Sequence, residues 1–526
     1  MTETMSLLPI AFWVVVVLLI GGVVLALRWM NAGTGIPALA VLGTTAVWYV
    51  GDAFYNDYAN NHAKLFDAGT LQCAWWQVAW FLVVFLFLTP PVHQWVNRAC
   101  SQRHSGVLQM FNHGVGQPEI QRQLNALFLI CVVVWAILFL IALALLKGEI
   151  AHYLFPFWGY KASPWVHGRV GAGFDFFSIL AVYLNLLVAS MFGVVAALAT
   201  KPGIRRCAFA LCALTWPYFV LDRTRNTMLA MVIPAVLCWV FLRLRSGMWK
   251  KLLLLFVCYF LVNAWMKFVI ANRTDTSIAA AFKQKGLNLA EQNNVHNEGL
   301  NMFEELCWVS SFIDSGAYHV NWGARYFAEL VNPIPRAFWP GKPLIGLDYA
   351  IARGHAQADD KQGGVNTTIS TGLIGQGVVN FGRLLGPMAA ALLMSLWVAV
   401  LARLDLNVQA LGRLPLYSLG LILTFNMGRD ITLIILYPFV FGLLAIWWLD
   451  RHHPQSARPA RSPAVASAAP ISAKRPGFAV RKQLPFARRA ASGGFVRRKL
   501  PVNQALHAQA GQIPRAQISG GESPTV

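Results

Sequence analysis

Residues 124–146 read LNALFLICVVVWAILFLIALALL and contain no charged side chain. A helix of about 20 apolar residues spans the roughly 30 Å hydrocarbon core of a bilayer. This stretch therefore predicts a membrane-spanning helix, and the same criterion selects further segments. They lie near 7–28, 36–55, 71–93, 172–199, 205–221, 226–245, 251–270, 384–402, 414–428 and 431–449. Together they predict an all-α polytopic membrane protein with about eleven transmembrane helices.

The composition places the chain in the same class. Hydrophobic residues make up 57% of its 526 positions and charged residues 12%, whereas soluble domains carry about 25% charged residues. The composition therefore excludes a soluble globular domain. The cysteines show no CxxC or Cys/His spacing, so they predict neither a disulfide framework nor a zinc site.

Four regions follow from the distribution of these segments. Residues 1–270 form a bundle of about eight spans, 271–383 a large polar loop, and 384–450 a bundle of about three spans. In the tail, 451–526, thirteen Lys and Arg face a single acid, Glu522. This composition predicts a disordered basic segment suited to an anionic lipid surface. No fold or aromatic platform supports a nucleic-acid partner for it.

Alternate connections between the predicted spans are basic, and the intervening ones are poorer in Lys and Arg or carry acids. The positive-inside rule places the basic connections in the cytoplasm. The N-terminus and the large loop are then extracytoplasmic, and the C-terminus is cytoplasmic. The basic connections carry Arg28; Arg98, Arg103 and Arg122; Lys201, Arg205 and Arg206; Arg243, Arg245, Lys250 and Lys251; and Arg403 and Arg413.

Two predicted hairpins are too short to reach the outer interface. Segments 207–221 and 414–428 would each form about 22 Å of helix, less than the hydrocarbon thickness. Their tips, Asp222-Arg223-Thr224-Arg225 and Gly428-Arg429-Asp430, should therefore lie at or below that interface. Arg beside Asp at both tips favours pairing in an outward cavity, where arginine would grip phosphate. The alternative is that these side chains extend to the lipid headgroups.

The large loop contains the proline-punctuated stretch NPIPRAFWPGKP, residues 332–343. Arg336 and Lys342 stand there beside Phe338 and Trp339, a combination that suits phosphate and sugar rings. An anchor at the membrane interface explains the same residues equally well. Further along, 367–386 is apolar and glycine-rich, which predicts a re-entrant or interfacial piece before the span at 384–402.

Acidic and histidine side chains in the loop are candidates for a general base. The pattern does not select one, and the adjacent Asp359 and Asp360 are typical of a solvated turn, so no metal site is predicted. The candidates are Glu298, Glu304, Glu305, Asp314, His319, Asp348, His355, Asp359 and Asp360.

Four sequence blocks occur in a fixed order across residues 205–450. They are Arg223-Thr-Arg-Asn at the head of a span, Ile334-Pro-Arg-Ala-Phe-Trp-Pro-Gly-Lys-Pro, Thr371-Gly-Leu-Ile-Gly with Asn380-Phe-Gly, and Gly428-Arg-Asp. Their order and spacing resemble the Wzy-type oligosaccharide repeat-unit polymerases, a family that includes O-antigen polymerases. WPGKP is the most specific block.

The resemblance implies a bacterial inner-membrane glycosyltransferase of the GT-C-like helical type, independent of metals and cofactors. Such an enzyme transfers a growing glycan from polyprenyl diphosphate onto a lipid-linked repeat unit at the outer face of the membrane. Its implied partners are the polyprenyl-diphosphate-linked oligosaccharide, membrane lipids, and a chain-length regulator and flippase of the same pathway.

The resemblance and the charge pattern together nominate site residues. For diphosphate binding these are Arg223, Arg225, Arg336, Lys342 and Arg429. For the general base they are His355 or Glu304, and for glycan binding Trp339, Asn366 and Asn380.

Three other functions fit parts of the sequence. An O-antigen-ligase-like glycosyltransferase would share the architecture and the donor but use a different acceptor. A polysaccharide or lipid-linked-sugar flippase or transporter fits the spans, but no internal repeat with broken helices supports it. A non-catalytic scaffold that recruits partners through its tail is the third alternative.

Overall fold

A computed structural model describes most of the chain before the basic tail. The described residues are 8–99, 118–154, 164–165, 175–221, 225–244, 246–271, 301–332, 334, 338–343, 345–354, 369–404, 413–431, 436 and 439–444. The predicted disordered tail and most of the predicted span at 431–449 lie outside them, so both stay predictions.

The described elements are helices and turns. The α-helices are α1 Ile10–Arg28, α2 Gly35–Thr45, α3 Gly51–Tyr55, α4 His62–Leu65, α5 Ala68–Ala99, α6 Pro118–Leu145, α7 Ile150–Leu154, α8 Asp175–Leu198, α9 Pro202–Leu221, α10 Arg225–Leu237, α11 Met248–Ala271, α12 Met302–Asp314, α13 Ala324–Val331, α14 Leu347–Ala352, α15 Leu373–Ala402 and α16 Arg413–Met427. A π-helical segment, Ala46–Val50, joins α2 to α3, and another, Cys238–Arg243, follows α10.

Seven helices within the described ranges are long and apolar enough to cross a membrane. They are Ile10–Arg28, Gly35–Tyr55, Ala68–Arg98, Leu124–Leu145, Leu180–Leu198, Pro202–Leu221 and Leu373–Ala402. The prediction of an all-α, multi-pass membrane protein is thus confirmed. Helices α10, α11 and α16 coincide with three further predicted spans, and the number eleven stays a prediction.

Close helix contacts depend on small residues. A Cβ added at Gly193 of α8 would lie 2.7 Å from the Ala235 Cβ of α10, and one added at Gly420 of α16 would lie 2.3 Å from the Leu401 side chain of α15. Lipid tails are as apolar as leucine, so burial alone does not drive such helices together. Close van der Waals packing therefore contributes a large part of the stability of this bundle.

Helix α15 contains a sharp reversal that the sequence predicted as a re-entrant or interfacial piece. Gly382 has φ 77° and ψ −177°, a non-helical conformation that strongly favours glycine. As a result Gly377 approaches Gly386, and a Cβ added at Gly377 would lie 2.2 Å from the Gly386 carbonyl oxygen. The first part of α15 therefore folds back against the second, and its N-terminus reaches the large loop.

Helix α12 in the large loop is fixed to the bundle by a carboxylate from α3. The amides of Phe303 and Glu304 donate hydrogen bonds of 2.8 and 3.1 Å to Asp52 Oδ2. Asp52 is fully buried, and Asn56 Nδ2 donates to its other oxygen at 2.5 Å. The carboxylate supplies the cap that the first turn of a helix otherwise lacks, so the loop begins at a defined place.

Candidate functional site

A buried arginine stands at the centre of the polar groups that join the large loop to the bundle. Arg325 lies in the first turn of α13, which follows Gly323 in a left-handed conformation, φ 91°. Its Nη2 donates to Asp430 Oδ2 at 3.1 Å and to the Ile369 carbonyl oxygen at 3.4 Å. The side chains of Arg325 and Asp430 are 1% and 12% exposed, so the pair is largely removed from water.

Gly346 covers the guanidinium of Arg325 on one side. Gly346 has φ 68°, and a Cβ placed on it would lie 3.6 Å from the Arg325 Cζ. Burial alone would lower the pKa of Arg325, but nearby Asp430, Asp348 and Glu329 outweigh it, and the net pKa is raised. Arg325 is therefore a permanent positive charge among carboxylates.

A second carboxylate near Arg325, that of Asp348, belongs to the large loop and is exposed to solvent. Asp348, in the first turn of α14, is exposed. It accepts hydrogen bonds from the Tyr318 hydroxyl and from Asn321 Nδ2, the latter at 3.3 Å. Burial and the charge of Asp348 raise the pKa of Tyr318, so this tyrosine stays protonated and keeps donating. We call Arg325, Asp430, Asp348, Tyr318 and Asn321 the Arg325 cluster.

The tip after α16 carries two neighbouring charged residues with different environments. Asp430 is buried, and burial raises its pKa while the charge of Arg325 partly opposes that rise. Arg429 is exposed, and its Nε donates to Ser370 Oγ at 3.1 Å. Its two terminal nitrogens have no hydrogen bond or ion pair within the described residues. Arg429 can therefore bind an anion from solvent through both terminal nitrogens.

The predicted pairing within this tip was wrong. Asp430 forms its ion pair with Arg325 of the loop, and Arg429 turns outward to Ser370. Consecutive residues in a turn direct their side chains differently, so adjacency in the sequence does not bring the two charges together.

The tip is held in place by hydrogen bonds to the first turn of α15. The Leu373 amide donates to the Gly428 carbonyl oxygen at 3.0 Å. The Gln376 side chain accepts from the Ile431 amide at 2.9 Å and donates to the Ile431 carbonyl at 3.2 Å. The Tyr49 hydroxyl accepts from the Ile374 amide at 2.8 Å. The Leu373 and Ile374 amides lie in the first turn of α15, where backbone N–H groups have no partner within the helix. Together these contacts make the tip rigid.

A second polar network stabilises the loop without reaching the tip. Glu305 of α12 accepts hydrogen bonds from the Tyr349 hydroxyl at 2.6 Å and from Arg353 Nη2 at 3.0 Å. The Arg353 guanidinium also lies 4.5 Å from the Trp308 ring centroid. The hydrogen bonds from Tyr349 and Arg353 to Glu305 fix α14 on α12 and so position Asp348.

Lys342, predicted to bind diphosphate, has other partners in the structure. Its side chain is buried, and Nζ donates to the carbonyl oxygens of Asn332 at 2.6 Å and Ile334 at 3.0 Å. The Asn332 Oδ1 lies 3.4 Å away. An ammonium group has three donors, and these three oxygens account for them. Lys342 therefore closes the turn between 332 and 342, and we assign it to loop shape.

Asn380 and Glu304 are likewise committed to internal contacts. Asn380 is fully buried, donates to the Gln376 carbonyl at 2.7 Å, and accepts from the Tyr326 amide at 3.3 Å. Glu304 is buried in the first turn of α12 and accepts from Trp308 Nε1 at 3.3 Å. Because burial keeps both side chains from solvent, Asn380 is better explained as a helix contact than as a sugar ligand, and Glu304 is a poor candidate for the base.

Trp339 remains compatible with its predicted role. It is half-buried, and its ring stands edge-on to Phe327 with centroids 6.5 Å apart, which leaves part of the indole accessible for a sugar. The other predicted site residues, Arg223, Arg336, His355 and Asn366, lie outside the described residues. Helix α10 begins at Arg225, and the placement of that side chain also lies outside what the structure describes.

The sequence contained a pattern that could have identified Arg325 as part of a buried polar site. In the segment ARYFAELV, Arg325 and Glu329 are four positions apart and share a face with Ala328, and all three are buried. Opposite charges on the otherwise apolar face of a short helix indicate a buried polar site. Within the described residues, no group of three His, Cys, Asp or Glu side chains could hold a metal ion.

The fold defines this chain as an all-α, multi-pass membrane protein, with helices α12, α13 and α14 in the described part of its polar loop. No protein-family model, no curated protein and no solved structure matches it.

Proposed function

We propose that the protein is a glycosyltransferase that polymerises lipid-linked oligosaccharides at the outer face of a bacterial inner membrane. The donor is a glycan on polyprenyl diphosphate, and the acceptor is the repeat unit on a second lipid carrier. The observation that carries the proposal is the exposed Arg429, whose terminal nitrogens have no partner within the described residues. It adjoins the Arg325 cluster, where the membrane bundle meets the described part of the large loop.

Arg429 is the proposed diphosphate ligand. Arg429 is exposed, and the neighbouring ion pair of Arg325 with Asp430 holds the tip in place. When the bond between the anomeric carbon and the phosphate oxygen breaks, its electron pair stays on the diphosphate. A fixed cation there stabilises the charge as it develops and does not need to reorganise.

Asp348 is the proposed general base. It is exposed, and Tyr318 and Asn321 hold its carboxylate by hydrogen bonds. As the acceptor hydroxyl oxygen bonds to the anomeric carbon, its proton passes to Asp348. The charge of Asp348 in turn contributes to the raised pKa of the buried Arg325, so the two groups attract each other.

A gene deletion complemented with defined variants tests the proposal. The surface polysaccharide of each strain is separated by electrophoresis, and lipid-linked intermediates are extracted in parallel. We expect deletion to remove the long-chain ladder while single repeat units persist. Arg429→Ala and Asp348→Asn should fail to restore the ladder, with losses of about 100-fold or more in polymer.

Matched controls separate chemistry from folding. Arg403→Ala removes an exposed arginine at the other end of α15, and Asp314→Asn removes an exposed loop carboxylate paired with Arg383; both should restore the ladder at equal protein levels. If single units disappear from the final acceptor while long carrier-linked chains accumulate, the enzyme is a ligase. If repeat units accumulate on the cytoplasmic face, the protein is a flippase and the proposal is wrong.

A further inference from the structure

A cavity of about 930 Å³ opens among helices that take no part in the candidate site. Its walls come from α8, α9, α10 with its π-helical continuation, and α11. Among the described residues, none that lines it belongs to the large loop, α15 or α16. The cavity is therefore a separate site that the proposed function does not use.

The cavity is elongated along α9. The lining positions on this helix run from Arg205 to Leu221 and recur every three or four residues, so they form one face. The rise from Arg205 to Leu221 is about 24 Å at 1.5 Å per residue, most of the roughly 30 Å hydrocarbon thickness. A ligand that fills the cavity must be long and narrow, as a lipid chain is.

The walls are apolar and held in place. Small residues such as Ala196, Ala197 and Ala213 leave the space open. The indole N–H of Trp216 donates to the Ala189 carbonyl at 3.1 Å, and that of Trp265 donates to the Val220 carbonyl at 2.9 Å. With their polar atoms satisfied, both indoles offer carbon surface to an occupant, and the cavity is largely preformed.

Two arginines stand at one end of this apolar cavity. Arg205 lies in the first turn of α9, and Arg243 ends the π-helical segment of the antiparallel neighbour. The Arg205 side chain has no hydrogen bond or ion pair within the described residues. Arg243 Nη1 donates to the Ala199 carbonyl oxygen at 3.4 Å. None of the described residues that line the cavity is acidic, so this end attracts an anion.

We propose that the cavity binds an anionic glycerophospholipid. The phosphate lies between Arg205 and Arg243, and an acyl chain extends along α9 past Trp216. The positive-inside rule predicts that this end faces the cytoplasm, where anionic lipid headgroups concentrate. The site is thus distinct from one that would hold an outward-facing diphosphate, and it stands whether or not the proposed function holds.

Native mass spectrometry of the full-length protein in detergent tests the site. The protein is titrated with dioleoyl phosphatidylglycerol and, separately, with dioleoyl phosphatidylcholine. We expect tighter binding of the anionic lipid and about a fivefold loss of its affinity for each of Arg205→Gln and Arg243→Gln. Arg206→Gln is the matched control, because Arg206 is exposed, adjacent in sequence and absent from the cavity wall.

A second variant tests the chain-binding part independently of charge. Ala213→Trp fills the middle of the cavity and should abolish phosphatidylglycerol binding while the protein still elutes as a single species. If it does not fold, the double variant of Arg205 and Arg243 carries the test alone. Equal binding of both lipids, an equal loss with Arg206→Gln, or preferential binding of a polyprenyl phosphate would overturn the proposal.

Discussion

Replacing Arg325 by methionine should expose how much the buried ion pair contributes to stability. The substitution keeps the length of the side chain but leaves Asp430, which is 12% exposed, without its cation. Removing one partner of a buried pair costs about 3–5 kcal/mol because the remaining charge is uncompensated. The cost has a ceiling, since Asp430 can take up a proton instead of staying charged.

Because protonation of Asp430 limits the cost, the stability lost in Arg325→Met depends on pH. Protonating a carboxyl group with an ordinary pKa near 3.9 costs about 4 kcal/mol at pH 7 and about 1.5 kcal/mol at pH 5. In the variant the folded pKa of Asp430 lies above the unfolded one, so the folded state binds more protons between the two pKa values. Its stability relative to wild type therefore rises as the pH falls through that window.

Unfolding of purified protein in mixed micelles, followed by tryptophan fluorescence at pH 7 and pH 5, measures both quantities. We expect Arg325→Met to lose about 4 kcal/mol at pH 7 and less than half of that at pH 5. Adding Asp430→Asn should recover most of the loss. Arg429→Met serves as the control, because an exposed arginine contributes within about 0.5 kcal/mol. A loss that is independent of pH, or equal for both arginine variants, would refute the reasoning.

Three further substitutions test the scaffold. Gly377→Ala should prevent normal folding, because the new Cβ would lie 2.2 Å from the Gly386 backbone. Gly375→Ala should be tolerated, because the nearest neighbour of its new Cβ would lie at 3.5 Å. The yield of monodisperse protein distinguishes the two variants. Asp52→Ala should cost about 1–2 kcal/mol through loss of the cap on α12, and faster amide hydrogen exchange in the first turn of α12 would report it; unchanged exchange would contradict the capping role. Lys342→Met should raise protease sensitivity between residues 332 and 343. It should lower the affinity for a diphosphate lipid less than Arg429→Ala does. An equal loss of affinity in both variants would mean that Lys342 binds the diphosphate.

The sequence predicted the membrane helices well because the bilayer imposes a strict length requirement on apolar segments. It also singled out Arg429 and Asp430 as candidates for a site, since charge predicted at such a depth needs a reason. It could not find the partner of Asp430, because Arg325 is 105 positions away and the contact depends on how the loop folds onto α15. The sequence also could not show that Asn380 is buried rather than available to a sugar. A polar side chain in an apolar helix can donate its hydrogen bond to a carbonyl of the same helix, as Asn380 does to Gln376.

The rigidity of the tip supports the proposed group transfer. Alternating access requires that elements around the substrate site move between two arrangements. Here Gly428 and Ile431 are hydrogen-bonded to the first turn of α15, and an added Cβ at Gly428 would lie 2.2 Å from the Thr44 side chain. Arg429 is therefore carried on a tip that can move only if several buried hydrogen bonds break. Fixed cations stabilise developing charge because they do not reorganise during the reaction, so this arrangement favours group transfer at a stationary site.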